Sequence, residues 1–333
     1  MQTEVPHVIG IDLGGYHVSA AVVNPEGHLI GISERTVERF RPPAEVLAIL
    51  VSAAREALER SGLGHEAIRG IGVGLPGTLR PTEGLCLFST ILNWQDVQIR
   101  DPIQEALGLP TCILNNVHAT AVGELSFGAG KDVDNFACVS IGTGIGGGVI
   151  IGGEIYRGDS DSAGEVGHIT VDPDGPECVC GNQGCLEALT AGPAIARMAA
   201  ESLKLGAQSL LTDMAAQSQP IRAEHVFRAA REGDALAIKI WEKVGRYLGL
   251  GIATLITLVN PRRVILGGRV SQAFEFFGPS LKEEVRRRAR VVPRDFTEIL
   301  PSPLGARASL LGSAATALAE ARCREVATVP KTV

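Results

Sequence analysis

The chain has 333 residues, 45% of them hydrophobic and 20% charged, with a formal net charge of −6. That length suits about two domains at roughly 150 residues each. The balance excludes a disordered polyanion and gives no basic surface for nucleic acid. Aromatic residues at 4% leave little for base stacking, and no apolar run approaches the ~18 residues that a membrane span requires. The opening MQTEVPH has no cationic segment ahead of an apolar one, so no secretory leader is expected and a cytoplasmic protein is. Glycine stands out: 40 of 333 residues, about 12% against roughly 7% on average. With no collagen period, the excess is expected in turns where backbone approaches closely.

In chain order, VIGIDLGG and VSAAVV read as two strands about a glycine turn, and GHLIGISERTV as a third. A helix is predicted from about Ala44 to Ser61, where apolar residues recur at three and four positions until Gly62 stops them. IRGIGVGLPG is a strand ending in Gly-Pro-Gly, and TCILNN a strand that feeds the helical VHATAVGELSFGAG. The opening pattern then returns in FACVSIGTGIGGGVIIGGEIY, strand, glycine turn, strand. Residues Ala188 to Leu258 read as mostly helical, PRRVILGGRV as strand and turn, and GARASLLGSAATALAEARCREV as a closing small-residue helix. No long Pro/Ser-rich linker occurs, which puts a domain boundary near Phe127 to Asp134.

Two nucleotide motifs fail. A P-loop is absent, since Gly130-Lys131 runs into Asp132 with no glycine at the required offset. GxGxxG does occur at Gly142, Gly144 and Gly147, but the β-branched VIIGGEIY follows where a helix should open onto the pyrophosphate. A β-hairpin phosphate turn fits better, because glycine lets backbone N–H groups converge on an anion. Two such turns, DLGG with Asp12, Gly14 and Gly15, and GTGIGGG with Gly142, Thr143 and Gly144, are expected to face one another across a cleft and hold a triphosphate. Asp12 would partner Mg²⁺ or its waters. Taken singly, each turn is equally well a plain tight hairpin.

Of the seven cysteines, Cys178, Cys180 and Cys185 fall within eight residues, ten residues beyond His168. One His and three Cys form the set that suits tetrahedral structural zinc, and a long chain without a leader makes metal more fitting than disulfides.

These residues resemble the ROK family of repressors, uncharacterised reading frames and sugar kinases, a branch of the hexokinase/actin-like superfamily. The likeness runs through DLGG at 12–15, GVGLPG at 72–77, ILNW at 91–94, NN…GE at 115–124, GTGIGGG at 142–148, AGEVGH at 163–168, CVCGNQGCLE at 178–187 and ILGG at 265–268. It implies an α/β, two-domain actin-like or hexokinase-like (ribonuclease-H-like) fold with an interdomain cleft. Residues 1–126 with about 310–333 would form the smaller domain, and 127–309 the larger one with the zinc loop. It further implies ATP with magnesium, a hexose contacted by Asn115, Asn116, Glu165, His168 and Glu187, adenosine against Gly267 and Gly268, and a homo-oligomer, dimer or tetramer. Carboxylates such as Glu165 and Glu187 accept pairs of hydroxyl hydrogen bonds, as sugar recognition requires. The zinc would brace the sugar site rather than act as a Lewis acid.

Two positions depart from the family pattern. Its usual Glu-Asn-Asp-Ala/Val-Asn, with the aspartate as catalytic base, is here Leu114-Asn115-Asn116-Val117-His118. An amide cannot take the hydroxyl proton, which removes a contribution of ~10²–10⁴-fold. Positioning and charge stabilisation survive, and they carry most of phosphoryl transfer. His118 lies two residues along a helix, a rotation of about 200°, and should point away from position 116. Tyr16 replaces the small hydroxyl residue that usually follows the glycine pair, so it must swing aside or crowd the phosphate pocket. The leading function is an ATP:hexose 6-phosphotransferase acting on glucose or a close relative. The alternative is a catalytically silent sugar sensor or regulator. A DNA-binding repressor is disfavoured, because the first strand starts near Val8 and the charge gives DNA no electrostatic attraction.

Overall fold

The computed structural model describes residues 6–38, 40–216, 220–293 and 295–328. Residues 1–5, within the opening stretch where no leader is expected, 217–219, within the stretch read as helical, and 329–333, within the segment expected in the smaller domain, lie outside the described residues. The chain forms two compact units: Met1–Asp134, Gly148–Ala163 and Ala306–Val333 in the first, Asn135–Gly147 and Gly164–Gly305 in the second.

The first unit is built on β1 (His7–Leu13), β2 (His17–Val23) and β3 (Leu29–Thr36), an antiparallel run. Helix α1 (Pro43–Ser61) buries Val46, Leu50, Ala53, Ala54 and Ala57 on one face, and Gly62 caps it at φ 70°. β4 (Ile68–Leu75) then joins β1 in parallel. A three-stranded antiparallel sheet follows, β5 (Thr78–Arg80), β6 (Leu85–Ser89) and β7 (Trp94–Gln98), leading to α2 (Arg100–Leu107). None of these four short elements was expected from the sequence, for they carry too few residues to show a period. β8 (Thr111–Asn115) pairs in parallel with β4 and completes the order β3-β2-β1-β4-β8. The helix α3 (Asn116–Phe127) starts at once from its end.

β9 (Phe136–Ile141) opens the second unit. β10 (Ile145–Ile151) begins there and ends in the first, where Val149–Ile151 pair with β11 (Glu154–Tyr156). That a strand follows the GxGxxG match, and no helix, confirms that it is not a dinucleotide motif. The second unit continues with α4 (Leu186–Thr190), α5 (Gly192–Lys204), α6 (Leu211–Ala216), α7 (Ala223–Arg231) and α8 (Ala235–Val259). α8 runs from an Asp234 N-cap to an Asn260 left-handed cap. β12 (Arg263–Gly267), α9 (Phe274–Arg288) and β13 (Glu298–Pro301) complete it, with β12 parallel to both β9 and β13. Trp241 and Phe277 lie at the centre of its core, 6.1 Å apart.

The chain closes in the first unit with α10 (Ala308–Thr328). Its small residues have a steric reason. A side chain at Gly72 of β4 would run into the Ser313 carbonyl, and one at Gly312 into that of Ala119 in α3. Backbone-to-backbone packing of this kind admits only the smallest residues on both sides.

Candidate functional site

In the first unit the carboxyl ends of three adjacent strands come level. Asp12 of β1 stands opposite Gly74 of β4, and the next residue, Leu75, stands opposite Asn115 of β8. In open α/β sheets this edge is where ligands bind. The DLGG turn leaves it directly, closed by the Gly14 N–H donating to the His17 carbonyl at 2.8 Å. Asp12 is 7% exposed, yet neither of its oxygens lacks company. The Ser309 hydroxyl donates to Oδ1 at 2.5 Å, and His17 Nε2 lies 3.4 Å from Oδ2. Tyr16, which follows the turn, is 46% exposed.

Asn115 does local work. Its side-chain oxygen accepts the Val117 N–H at 2.8 Å, the N-cap of α3, while Nδ2 donates to the Gly77 carbonyl at 2.9 Å. It thereby ties the GVGLPG loop to the start of α3. Asn116 is the half-buried first residue of that helix. His118 is buried with Nε2 donating to the Ala163 carbonyl at 3.0 Å, so that nitrogen is already spoken for.

In the second unit Gly142, Thr143 and Gly144 follow β9, and Gly267 ends β12 with Gly268 next to it, at the carboxyl ends of two paired strands. Gly268 has φ +80°, and any side chain on it would strike the backbone of Ile141. The second turn thus packs against the end of β9. The Gly142 N–H donates to the Gly144 carbonyl at 2.9 Å, and the Gly142 carbonyl accepts from Gly192 at 2.8 Å.

His168, Cys178, Cys180 and Cys185 converge, with one ligand atom from each lying within 4.8 Å of all the others. Cys178 Sγ is 3.7 Å from His168 Nδ1, and the Cys180 and Cys185 sulfurs are 3.8 Å apart. Metal–sulfur bonds of ~2.3 Å in a tetrahedron give edges of about 3.8 Å, so the set fits a tetrahedral metal. The loop shapes itself around this point: the Cys178 N–H donates to Asn182 at 2.8 Å and the Gly181 N–H to Cys178 at 2.9 Å. Tyr247 of α8 steadies its base, donating to Asp172 at 3.3 Å. Without a cation the thiols are mismatched. Burial pushes Cys185 up to about 12, whereas the backbone bond from Asn182 holds Cys180 below the ordinary range. A bound metal removes that mismatch, because coordinated thiols are deprotonated outright.

Glu165 and Glu187 flank the cluster. His168 Nε2 is 3.8 Å from Glu165, and Cys178 Sγ is 4.0 Å from Glu187 Oε1. Glu187 Oε2 also accepts the Ile145 N–H at 2.7 Å. Each expected residue therefore falls in one of two constellations, Asp12, Gly14, Gly15, Asn115 and Asn116 in the first unit, and the others in the second. His17, Ser309 and the Ile145 N–H were missed. His17 adjoined a motif, but the other two carry no sequence signal.

The ROK family profile matches residues 8–320. The glucokinase of Thermotoga maritima is 34% identical over 309 residues, covering 92% of this chain and 96% of that protein. The xylose repressor of Bacillus subtilis is 31% identical over 304 residues, 91% of this chain and 75% of the repressor. Among solved structures, a ROK family glucokinase from Streptomyces griseus in complex with glucose and AMPPNP superposes with a TM-score of 0.81 at 33% identity, covering 94% of this chain and 99% of that one. The fold is accordingly the α/β actin-like/hexokinase type.

Proposed function

The chain belongs to the ROK family, and from that premise we propose that it is an ATP-dependent kinase for the 6-hydroxyl of a hexose, glucose or a close relative. The observation that carries this reading is the acceptor set around the four-ligand cluster, Glu165, His168 and Glu187. Carboxylates beside a rigid loop are suited to a ligand whose surface is all hydroxyl groups. Zinc is the metal that three thiols and one imidazole favour; it would hold the loop and its carboxylates in place. Asn115 and Asn116 would meet the hexose as well.

Asp12, Gly14 and Gly15, and Gly142, Thr143 and Gly144, would hold the phosphates, with Gly267 and Gly268 beside adenosine. Asp12 presents a single buried carboxylate, which suits Mg²⁺ that keeps its waters and phosphate ligands. The ion would supply charge neutralisation for the transferring phosphoryl group. Asn116 would accept and orient the hexose hydroxyl but not take its proton. The chain would therefore be a slow kinase whose rate rests on positioning.

One observation favours a second reading, a sugar-binding regulator. The base position is an amide, and the imidazole two residues further on, His118, has its Nε2 bonded to Ala163. Measuring ADP formation over a hexose panel for the chain and for Asn116→Asp separates the two. The kinase reading expects the aspartate to raise turnover by ~10²–10⁴-fold. Silence in both forms with hexose binding retained supports the regulator. Absence of hexose binding and of any bound metal overturns both.

A further inference from the structure

Glu187 joins two features that the proposed function treats separately. Its Oε2 takes the Ile145 N–H at 2.7 Å, and a side chain on Gly144 would come within 2.6 Å of that same oxygen. Its Oε1 is directed to the metal loop, 4.0 Å from Cys178 Sγ, whose neighbour in turn is His168 Nδ1 at 3.7 Å. Glu187 itself sits in the first turn of α4, two residues after the proposed ligand Cys185. Its position is therefore set from the metal side, and the glycine turn is set from Glu187.

We propose that Glu187 is a positioning residue for the Gly142–Ile145 turn, so that a single carboxylate couples the hexose site to nucleotide affinity. This rests on the reading that the turn holds phosphates. The physical basis is the strength of a charge-assisted bond to the backbone N–H of a buried residue, Ile145. A glycine-rich segment has little side-chain packing to define it, and a fixed acceptor supplies what packing does not. One oxygen is committed to the turn and the other is left for a hydroxyl, so displacement of the carboxylate from either side is felt on the other. By linkage the effect is reciprocal.

The test uses calorimetric titration of the full chain with AMPPNP in the absence of hexose, and separately with hexose. Glu187→Ala should weaken AMPPNP by roughly tenfold or more, the range of a lost hydrogen bond to a charged group. Glu187→Gln keeps an acceptor for Ile145 and should restore most of that affinity. Gly144→Ala carries no positive-φ penalty, yet its methyl would push Oε2 aside, so hexose binding should weaken although residue 144 offers the sugar nothing. In the Glu187→Ala background the same methyl should change hexose affinity no further. A residue that served the sugar alone would leave AMPPNP affinity unchanged in Glu187→Ala, and that result overturns the inference while the nucleotide reading stands. A parent chain that binds no AMPPNP overturns the nucleotide reading and the inference with it. Should Glu187→Ala fail to fold, Gly144→Ala decides: unchanged hexose affinity refutes the coupling.

Discussion

Ser309, the second residue of α10, donates its hydroxyl to Asp12, 297 positions earlier in the chain, at 2.5 Å. The C-terminal helix thus reaches the carboxylate that ends β1, and His17 attends the other oxygen. Replacing Ser309 by alanine leaves a buried carboxylate short of a donor. The expected cost is about 1–3 kcal/mol, read from urea denaturation; a midpoint equal to that of the parent would show that the hydroxyl is dispensable.

Metal removal should act on the sugar site before the fold as a whole. The loop of Cys178–Cys185 has little apolar core of its own, only Cys178, Cys185 and Ala188. Elemental analysis should find one zinc per chain, and Cys178→Ser should lower that stoichiometry. Chelation should cut hexose affinity by at least tenfold. Full hexose affinity in the metal-free protein would refute the bracing role.

Asn115 holds two bonds, and its variants can separate them. Asn115→Ala loses the cap of α3 and should cost about 0.5–2 kcal/mol. Asn115→Asp keeps an acceptor for Val117 but sets a second oxygen, which cannot donate, against the Gly77 carbonyl, so chemical denaturation should place it below the parent.

Acid stability should depend in part on Glu56. The Ser33 hydroxyl, foremost, and the Arg35 guanidinium lower its pKa below the ordinary 4.5. A depressed folded-state value means stabilisation that is complete above the unfolded value and is lost as pH falls through the folded one. Glu56→Gln should therefore flatten the stability curve below about pH 4.5 and change it little in form near neutrality. Parallel curves for the two proteins across the acid range would contradict this.

How much was legible in the sequence follows the physics of each element. α1 announced itself through nineteen residues of regular apolar spacing and a glycine stop. The glycine turns and the Cys/His cluster were visible because each is local, with all its parts within a few residues or two short segments. The β5–β7 sheet escaped because three to five residues give no period. α9 escaped because Gly278 and Pro279 interrupt its pattern. Pro279 is the sixth residue of the helix, past the first turn, where a proline removes one i→i−4 hydrogen bond.

The sequence by itself determined the element types wherever periodicity ran long, the family, and the four residues of the candidate metal site, since these depend on residue type and short spacing. Only the tertiary structure decided that Ser309 meets Asp12, that His118 is bound to Ala163, and that Glu187 divides its oxygens between Ile145 and the metal loop. Those pairings join segments 42 to 297 positions apart, save for the short Cys178–Glu187 link. A contact at such separation is chosen by how strands and helices pack, and no local pattern of residues encodes it.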